Sequence, residues 1–474
     1  MAPCSTRSKA RAIEYSTNGS RSRRCSRRGS PGRPRGRIRF PRQRPEVKER
    51  IAVIGGGYAG FAAAVTLAAA GRSVTVFEAA RTLGGRARRV EAYGTTMDNG
   101  AHILLGAYRQ TLALLRIVHG AGAEDDLLDR RRLALEQPGV FRLRTMALPS
   151  PWHIAAALFT MRGVPRAERL AAIAFVRGLG RRRFRCPQDM TVAALLSESP
   201  PRVTALLWEP LCLAALNTPI ETASAQVFLN VLRLTFAKHA RDSDLLFPRV
   251  DLSTLFPDAA AAYVADRGGD IRRGCAVRRV VALSDGIAIT SGYLEETFAN
   301  AVIAAGPHQA KRLVQEADPQ THAALDTVSF EPIVTVYLKY PLALPFDRPM
   351  YKLDGWPGQW VFDRGVLDGP DGLAAVVIST SVPGARVSHE ALAQAIDAQL
   401  RRHWPDLSAP EWSQVIAERR ATYACVAGLK RPAPGMIAPG LYLAGDYTDP
   451  ELPATLEAAT RSGVAAAQAL LGHR

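Results

Sequence analysis

The sequence predicts an α/β protein in which a discontinuous Rossmann-like dinucleotide-binding domain alternates with an interleaved mixed α+β second domain. Three observations predict this class. A β-branched run, a glycine-rich turn and an alanine-rich helical stretch follow one another over residues 51–70. Further strand-like runs come much later, at residues 301–305 and 440–444, and residues 148–240, which precede both runs, are mostly helical in pattern. A strand–helix–strand order builds a parallel sheet, to which the later strands return.

The first turn carries the spacing of a dinucleotide-binding loop. Residues 51–60 read IAVIGGGYAG, so Gly55, Gly57 and Gly60 have the spacing G-x-G-x-x-G. The first glycine permits the tight turn, the second lets the backbone approach a pyrophosphate, and the third lets helix and strand pack closely. The position between a strand and a helix therefore favours a nucleotide site over an ordinary turn.

Two further features complete this site. Tyr58 and Ala59 begin the helix, whose free N–H groups and positive dipole end are expected to face the phosphates. Glu78 ends the next strand, 23 residues after Gly55, where a carboxylate can accept both hydroxyls of an adenosine ribose. These elements alone leave NAD and FAD open.

A second glycine pair favours FAD. Gly84, Gly85 and Arg86 follow Glu78 by a few residues. The glycines offer another close backbone approach, and a guanidinium binds phosphate oxygens in a bidentate manner.

These motifs resemble the N-terminal fingerprint of the amine-oxidase and phytoene-desaturase superfamily of flavoproteins. Two later segments resemble that group too: residues 275–277 with 301–307, and residues 441–446 with 453–463. The resemblance implies that FAD is bound by separated segments and that the Val277 backbone meets the adenine. It also implies that Gly445 and Asp446 lie at the ribityl-phosphate region.

The start of the last helix has a physical reason to face the flavin. The resemblance places the helix N-terminus near Thr455 and Leu456 at the flavin O2 edge. A reduced flavin carries negative charge at N1 and O2, and the positive end of a helix dipole stabilises it there.

A narrower resemblance concerns the substrate. Residues 98–108, 208–228, 243–255, 358–362 and 418–425 resemble the hydroxysqualene dehydroxylase family, FAD enzymes of bacterial hopanoid and squalene synthesis. The resemblance covers about residue 49 to the C-terminus and implies reduction of a C30 isoprenoid, hydroxysqualene, to squalene with loss of water. Two alternatives stay open: a carotenoid- or isoprenoid-type desaturase or oxidase, and a flavin-binding protein without catalysis that is tethered to nucleic acid or membrane.

The proton donor to a leaving hydroxyl is not specified by any motif. His102 is the first candidate, because imidazole is the usual general acid near neutrality, and Glu209 is the second. Structural roles remain open for both, and ordinary core packing remains open for every aromatic candidate. The candidates for lining a tunnel or orienting hydroxyl or water are Tyr108, Trp208, Asn217, Phe228, Gln359, Trp360 and Phe362.

The six cysteines indicate neither a metal site nor a disulfide framework. None belongs to a C-x-x-C pair, so no metal is expected. Cys425 raises the possibility of a covalent flavin link, but its spacing from Gly445 favours non-covalent FAD.

The net charge of +18 is concentrated at the N-terminus. Residues 1–48 carry 15 basic and 2 acidic side chains, whereas the remainder carries 46 and 41. A segment so rich in Arg, Ser, Gly and Pro predicts a disordered tail. It is interpreted as a misplaced start, a tether to anionic lipid or nucleic acid, or a targeting peptide. The balanced remainder predicts no specific nucleic-acid partner.

The location and partners follow from the substrate and from two absences in the sequence. No charge-free window of about 18 apolar residues and no apolar leader is present, which predicts a cytoplasmic protein. A C30 substrate dissolves in bilayers, and residues 149–185 mix apolar side chains with arginines, so peripheral membrane association is expected; a helical subdomain with solvated arginines is the alternative. A second dinucleotide motif is lacking, so an external electron donor is expected.

The predicted boundaries follow these segments. The tail is followed by five alternating parts. The dinucleotide-binding domain comprises residues 49–147, 246–307 and 426–474, and the substrate domain comprises residues 148–245 and 308–425.

Overall fold

A computed structural model describes residues 50–380 and 387–472. The predicted basic tail, residues 1–48, lies outside the described residues. The helices are α1 (Tyr58–Ala69), α2 (Arg109–His119), α3 (Ala123–Leu127), α4 (Trp152–Thr160), α5 (Arg166–Arg181), α6 (Val192–Leu195), α7 (Pro201–Val203), α8 (Glu209–Leu216), α9 (Ala225–Phe236), α10 (Leu252–Leu255), α11 (Pro257–Asp266), α12 (Pro307–Val314), α13 (Pro319–Asp326), α14 (His389–His403) and α15 (Leu456–Gly472).

The strands occur singly and in consecutive groups between these helices. They are β1 (Arg50–Ile54), β2 (Ser73–Glu78), β3 (Arg89–Ala92), β4 (Thr95–Asp98), β5 (Leu104–Leu105), β6 (Leu128–Arg131), β7 (Ala134–Gln137), β8 (Phe141–Arg144), β9 (Leu245–Pro248), β10 (Asp270–Arg273), β11 (Val277–Leu283), β12 (Gly286–Ser291), β13 (Leu294–Phe298), β14 (Asn300–Ile303), β15 (Phe330–Lys339), β16 (Met350–Lys352), β17 (Trp360–Asp363), β18 (Leu373–Ser379), β19 (Trp412–Tyr423), β20 (Gly435–Ala438) and β21 (Leu441–Leu443).

The central sheet is drawn from three distant parts of the chain. Its order is β10-β2-β1-β14-β21-β20, and every neighbouring pair is parallel except β20 with β21. The register pairs Ile51 with Asn300 and with Val74, and Ala301 with Leu441. The predicted α/β class with a discontinuous Rossmann-like sheet is therefore confirmed.

The helix after β1 is buried on almost every side. In α1, ten of twelve residues are buried, as expected for a helix that is apolar around its whole circumference. Helix α15 packs directly on it: a Cβ at Gly463 would lie 2.1 Å from the Ala59 carbonyl oxygen. Only glycine at that position allows this close approach, so the last helix fixes the position of the first.

The second sheet is antiparallel. In the sequence its strands come after β14 and before β20 and β21 of the first sheet. Its order is β16-β17-β18-β15-β19, with β15 paired to β18 and β19 on either side. Helix α14 packs on one face through Ile396 and Leu400, which are fully buried beside Val336 and Val376. The other face of this sheet contributes to the cavity described below.

The stretch between β8 and β9 is helical, as predicted. Helices α4 to α9 lie there, and a π-helix at Thr204–Trp208 runs directly into α8. Within residues 50–380 and 387–472, no helix has the length and apolar character needed to cross a bilayer.

Candidate active site

A single large cavity of about 1390 Å³ lies where the carboxyl ends of β1, β2 and β14 meet the second sheet. Its volume is ample for a dinucleotide together with part of a long substrate. Thirteen of the fourteen residues predicted to bind the cofactor line it: Gly55, Gly57, Tyr58, Ala59, Glu78, Gly84, Gly85, Arg86, Val277, Gly445, Asp446, Thr455 and Leu456.

The glycine loop at one end of the cavity is built for a close approach. Gly55 has φ +117°, and a Cβ there would lie 2.5 Å from the Ala304 carbonyl oxygen. Gly60 lies outside the cavity wall, and a Cβ there would meet the Gly55 oxygen at 1.8 Å. At Gly57, by contrast, the nearest protein atom to a Cβ would be 3.7 Å away. The protein itself does not demand glycine at position 57, so the space in front of it suits an approaching phosphate.

Glu78 is held rigidly at the cavity wall. One carboxylate oxygen accepts a hydrogen bond from the Gly56 N–H at 2.7 Å, and the other accepts from the Ala80 N–H at 2.7 Å. A carboxylate offers about four acceptor positions, so half remain for ribose hydroxyls. This geometry fits the adenosine end of a dinucleotide.

Arg86 and Asp446, predicted from motifs 360 residues apart, form an ion pair. The Arg86 guanidinium donates to Asp446 Oδ1 at 2.7 Å and to the Ala421 carbonyl oxygen at 2.8 Å. Asp446 is buried, so its charge requires this partner. The pair joins the two cofactor motifs in the wall of the same cavity.

The start of α15 also faces the cavity. Thr455 Oγ1 caps the helix by accepting from the Ala458 N–H at 3.1 Å, and Leu456 and Glu457 line the wall beside it. Glu457 is buried and accepts from the N–H groups of Gln110 and Thr111, which binds α15 to the start of α2. Burial raises the pKa of Glu457, although these hydrogen bonds oppose the rise.

The opposite half of the cavity is apolar. Two predicted lining residues, Trp360 and Phe362, project from β17 into it, and Asn217 and Tyr108 also line the wall. Burial raises the pKa of Tyr108 well above its ordinary value, with nearby Glu457 adding to the rise, so its hydroxyl stays protonated as a donor. The other apolar wall residues are Leu133, Leu135, Leu211, Val231, Leu232, Phe236, Ile333, Met350 and Val377.

Four predicted residues lie away from the cavity wall. Phe228 is fully buried in the core of α9. The side-chain amide of Gln359 is hydrogen-bonded to the backbone of Ser379: it accepts from the N–H at 2.8 Å and donates to the carbonyl oxygen at 3.2 Å. Trp208 packs on Phe175 and lines a separate small pocket. Glu209 is exposed at the start of α8, so of the two proton-donor candidates only His102 reaches the cavity.

His102 is held in one tautomer. Its Nδ1 lies 2.8 Å from the Gly100 carbonyl oxygen, which can only accept, so Nδ1 carries the proton. Burial lowers the pKa of His102, and the positive charge of Arg86 lowers it further. At neutral pH the imidazole therefore presents Nε2 as an acceptor, and donation from Nε2 requires protonation that the site opposes.

Polar residues that sequence reasoning did not single out complete the wall near Arg86. Asn99 donates to the Arg86 carbonyl oxygen at 3.1 Å and to Glu418 Oε2 at 3.4 Å, and all three residues line the cavity. Asn99 and Glu418 fall inside two of the stretches that resemble the narrower family, residues 98–108 and 418–425. The sequence marked the stretches, but only the fold shows that their side chains meet.

Cys425 is buried and does not line the cavity. Burial raises the pKa of its thiol to about 11, so it stays protonated and unreactive at neutral pH. Within the residues that the structure describes, no group of acidic, histidine or cysteine side chains has a metal-binding arrangement.

Comparison with known proteins supports the cavity's interpretation. Hydroxysqualene dehydroxylase of Rhodopseudomonas palustris is 28% identical over 442 residues, covering 90% of this chain and 99% of that protein. Chloroplastic/chromoplastic zeta-carotene desaturase of Arabidopsis thaliana is 24% identical over 484 residues, covering 89% and 85%. A triple mutant of putrescine oxidase shares the fold with a TM-score of 0.68 and 16% identity, covering 90% of this chain and 99% of that one.

The family model described as flavin containing amine oxidoreductase matches residues 58–471, which is most of the chain. The match spans every cavity-lining segment from Tyr58 onward, and only the end of β1 and the glycine loop precede it. The protein is thus a flavin-dependent oxidoreductase, and it belongs to the flavin-containing amine oxidoreductase family.

Proposed function

We propose that this chain binds FAD non-covalently and reduces hydroxysqualene to squalene with release of water. The observation that carries the proposal is the cavity itself, in which the dinucleotide-binding motifs and a set of apolar side chains line one space. The resemblance to hydroxysqualene dehydroxylases over about nine-tenths of the chain supports this substrate.

The residues present fit FAD better than a smaller flavin. Glu78 and Val277 line the cavity from neighbouring segments, since the Cys275 N–H donates to the Glu78 carbonyl oxygen, and a flavin without an adenosine moiety would leave these residues unused. Arg86 and Asp446 would lie at the pyrophosphate and ribityl region, and the N-terminus of α15 would face the flavin ring. With the Cys425 thiol buried elsewhere, the cofactor should leave intact when the protein is denatured in acid.

The chemistry divides between cofactor and protein. When bound and reduced, the flavin would supply a hydride equivalent, which with one proton replaces the substrate hydroxyl by hydrogen and releases water. The hydroxyl is next to an alkene, so its loss leaves an allylic cation on the substrate. Trp360, Phe362 and Met350 would keep water away from that cation and so prevent its recapture.

His102 is our candidate for delivering the proton to the departing hydroxyl from Nε2. The hydrogen bond from Nδ1–H to the Gly100 carbonyl oxygen fixes the ring. Burial lowers the pKa of His102, so the protonated imidazole is little populated but is a strong proton donor when it forms. Tyr108, which also lines the cavity, would orient the hydroxyl. The side-chain amide of Asn217 is already engaged, because it donates to the Pro332 oxygen and to Thr422 Oγ1 and accepts from the Thr380 N–H.

The direct test is an anaerobic incubation of FAD-loaded protein with chemically reduced flavin and hydroxysqualene in D₂O, followed by mass spectrometry. We expect squalene that carries one carbon-bound deuterium at the former carbinol carbon. Squalene without deuterium at that carbon, or no squalene, would contradict the proposal.

A carotenoid-type desaturase is the second candidate, favoured by the zeta-carotene desaturase relatives. That reaction runs in the opposite sense, removing hydride from the polyene to oxidised flavin. Oxidised FAD-loaded protein with zeta-carotene and a quinone acceptor tests it: a desaturated product with no squalene from the first assay would favour the desaturase.

An external electron donor is part of the proposal. The chain carries one dinucleotide motif, and the cavity's polar half is taken by FAD, so reducing equivalents would come from a separate reductase. We also propose a cytoplasmic location at the membrane, where the substrate resides.

A further inference from the structure

An apolar surface lies on the outside of the helical region. Trp152 and Phe159 are seven residues apart on α4 and therefore share a face, and they are 66% and 60% exposed. Leu170 on α5 is 57% exposed, and Met146 and Leu148 in the segment before α4 are also exposed. We call these five residues the α4–α5 face. Soluble proteins rarely expose such a concentration of large apolar side chains without a partner.

The charge around the α4–α5 face has one sign. Residues 162–185 contain eight arginines and a single acidic residue, Glu168. Within the residues that the structure describes, none of these eight arginines forms an ion pair, whereas many arginines elsewhere do. The surface therefore combines exposed apolar groups with unneutralised positive charge. A second copy of the same face would be repelled by its like charge.

The inner side of the same helices reaches the cavity. Ile154, Ala157 and Leu158 of α4, with Val176 and Leu179 of α5, line a small pocket of about 30 Å³. Every wall of this pocket is apolar except the Trp208 indole N–H, which has no acceptor among the described residues. Five residues belong to both the pocket and the large cavity, and they are Leu133, Leu135, Leu211, Leu232 and Phe236. The small pocket therefore connects the apolar half of the cavity to the inner sides of α4 and α5, whose outer sides carry the α4–α5 face.

We propose that the α4–α5 face docks on an anionic lipid bilayer and that the substrate passes between α4 and α5, through the small pocket, into the cavity. The arginines would contact lipid phosphates, and Trp152 and Phe159 would sit among the upper acyl chains. The direction of passage rests on the proposed function, since a C30 hydrocarbon is stored in the bilayer. The docking itself does not depend on which reaction the cavity catalyses.

The first experiment is flotation of the full-length protein with vesicles of phosphatidylglycerol and phosphatidylcholine. Trp152→Ser/Phe159→Ser should partition at least tenfold less than wild type. The matched control is Tyr293→Ser/Leu294→Ser, which removes two exposed apolar residues from the β12–β13 hairpin. All three proteins share the basic tail, so its electrostatic contribution cancels. Equal flotation of all three would overturn the docking proposal.

The second experiment locates the contact. Lipids brominated on their acyl chains should quench tryptophan fluorescence in wild type and in Trp356→Phe, because Trp356 is exposed elsewhere. Trp152→Phe should lose most of the quenching. Quenching that survives in Trp152→Phe would contradict the proposed orientation.

Turnover separates this inference from the proposed function. With hydroxysqualene in vesicles, Trp152→Ser/Phe159→Ser should lose most activity, whereas with detergent-solubilised substrate it should match wild type. Equal activity in both formats would overturn the access route while leaving the reaction intact. A dimer of wild type that dissociates on the double substitution, with no lipid binding, would instead assign the face to a second copy.

Discussion

His102 shows how one carbonyl decides what an imidazole can do. Because Gly100 O accepts the Nδ1 proton, the tautomer is fixed and Nε2 is the atom presented to the cavity. The lowered pKa means that the protonated donor form grows as pH falls. The sequence could nominate this histidine but could not reveal its tautomer, which depends on a backbone turn.

The pH profile tests His102 as proton donor. We expect kcat/KM of wild type to rise as pH falls toward the lowered pKa of His102, because the imidazolium then becomes populated. His102→Gln should lose this rise and fall about 100-fold in kcat, with unchanged FAD content. If His102→Gln kept the wild-type profile, the proton would have to come from another group.

Asp98 supplies a stability prediction at the same scale. It is buried and accepts from the Leu252 N–H at 2.8 Å, and burial raises its pKa to about 6. The unfolded chain has a value of about 3.9. Between these two values the folded state binds more protons, so the free energy of unfolding contributed by Asp98 falls as pH rises from about 4 to about 6.

Asp98→Asn should remove that fall, because an amide is uncharged and its oxygen still accepts from Leu252. In urea unfolding, the free energy of unfolding of the variant relative to that of wild type should increase by about 2 kcal/mol between pH 4 and pH 7. Asp285→Asn, at an exposed hairpin turn, is the control. A constant difference between Asp98→Asn and wild type across this range would contradict the prediction.

At the scale of elements, α1 and α15 act as one unit. Their contact at Ala59 and Gly463 places the N-terminus of α1 at the glycine loop, and the N-terminus of α15 at the same cavity. The spacing of glycines predicted the first helix, and strand–helix order predicted the last. Their direct packing was not foreseen, because Gly463 lies inside a helix with no turn to mark it.

Gly463→Ala should push the two helices apart. Its Cβ has no space beside the Ala59 oxygen, so we expect about 1–3 kcal/mol of lost stability and weaker retention of FAD. Gly178→Ala in α5, where a Cβ meets nothing within 4 Å, should instead stabilise by about 0.5–1 kcal/mol. Thermal unfolding and flavin content of both variants measure this, and equal behaviour would contradict it.

The features that could not be predicted from the sequence lack a distinctive local pattern. Strand β10 (DIRR) is short, charged and half exposed at the sheet edge, so it lacks the apolar run that marks a buried strand. Phe228 and Trp208 lie away from the cavity wall, and the sequence could not indicate this because an aromatic residue in an apolar helix has the same pattern whether it faces a cavity or the core. Trp360 and Phe362 both line the cavity, because alternate residues of a strand share one face of the sheet.

At the scale of the whole molecule, three segments separated by hundreds of residues build one sheet and one cavity. Motifs at both ends of the chain predicted this assembly because each carries its own glycine and charge pattern. The apolar half of the cavity was harder to predict, since its walls come from strands and helices with ordinary core composition. The pairing of Arg86 with Asp446 shows the gain from tertiary structure: two separately predicted residues form one contact.

The account's central claim is that this one cavity brings reduced FAD and a C30 allylic alcohol together. The most direct measurement is an anaerobic single turnover, in which FAD-loaded, pre-reduced protein is mixed with hydroxysqualene while flavin absorbance and product are followed. We predict that the flavin is reoxidised and that one squalene forms for each flavin oxidised. A flavin that stays reduced with no squalene formed, or protein that takes up no FAD at all, would contradict the account.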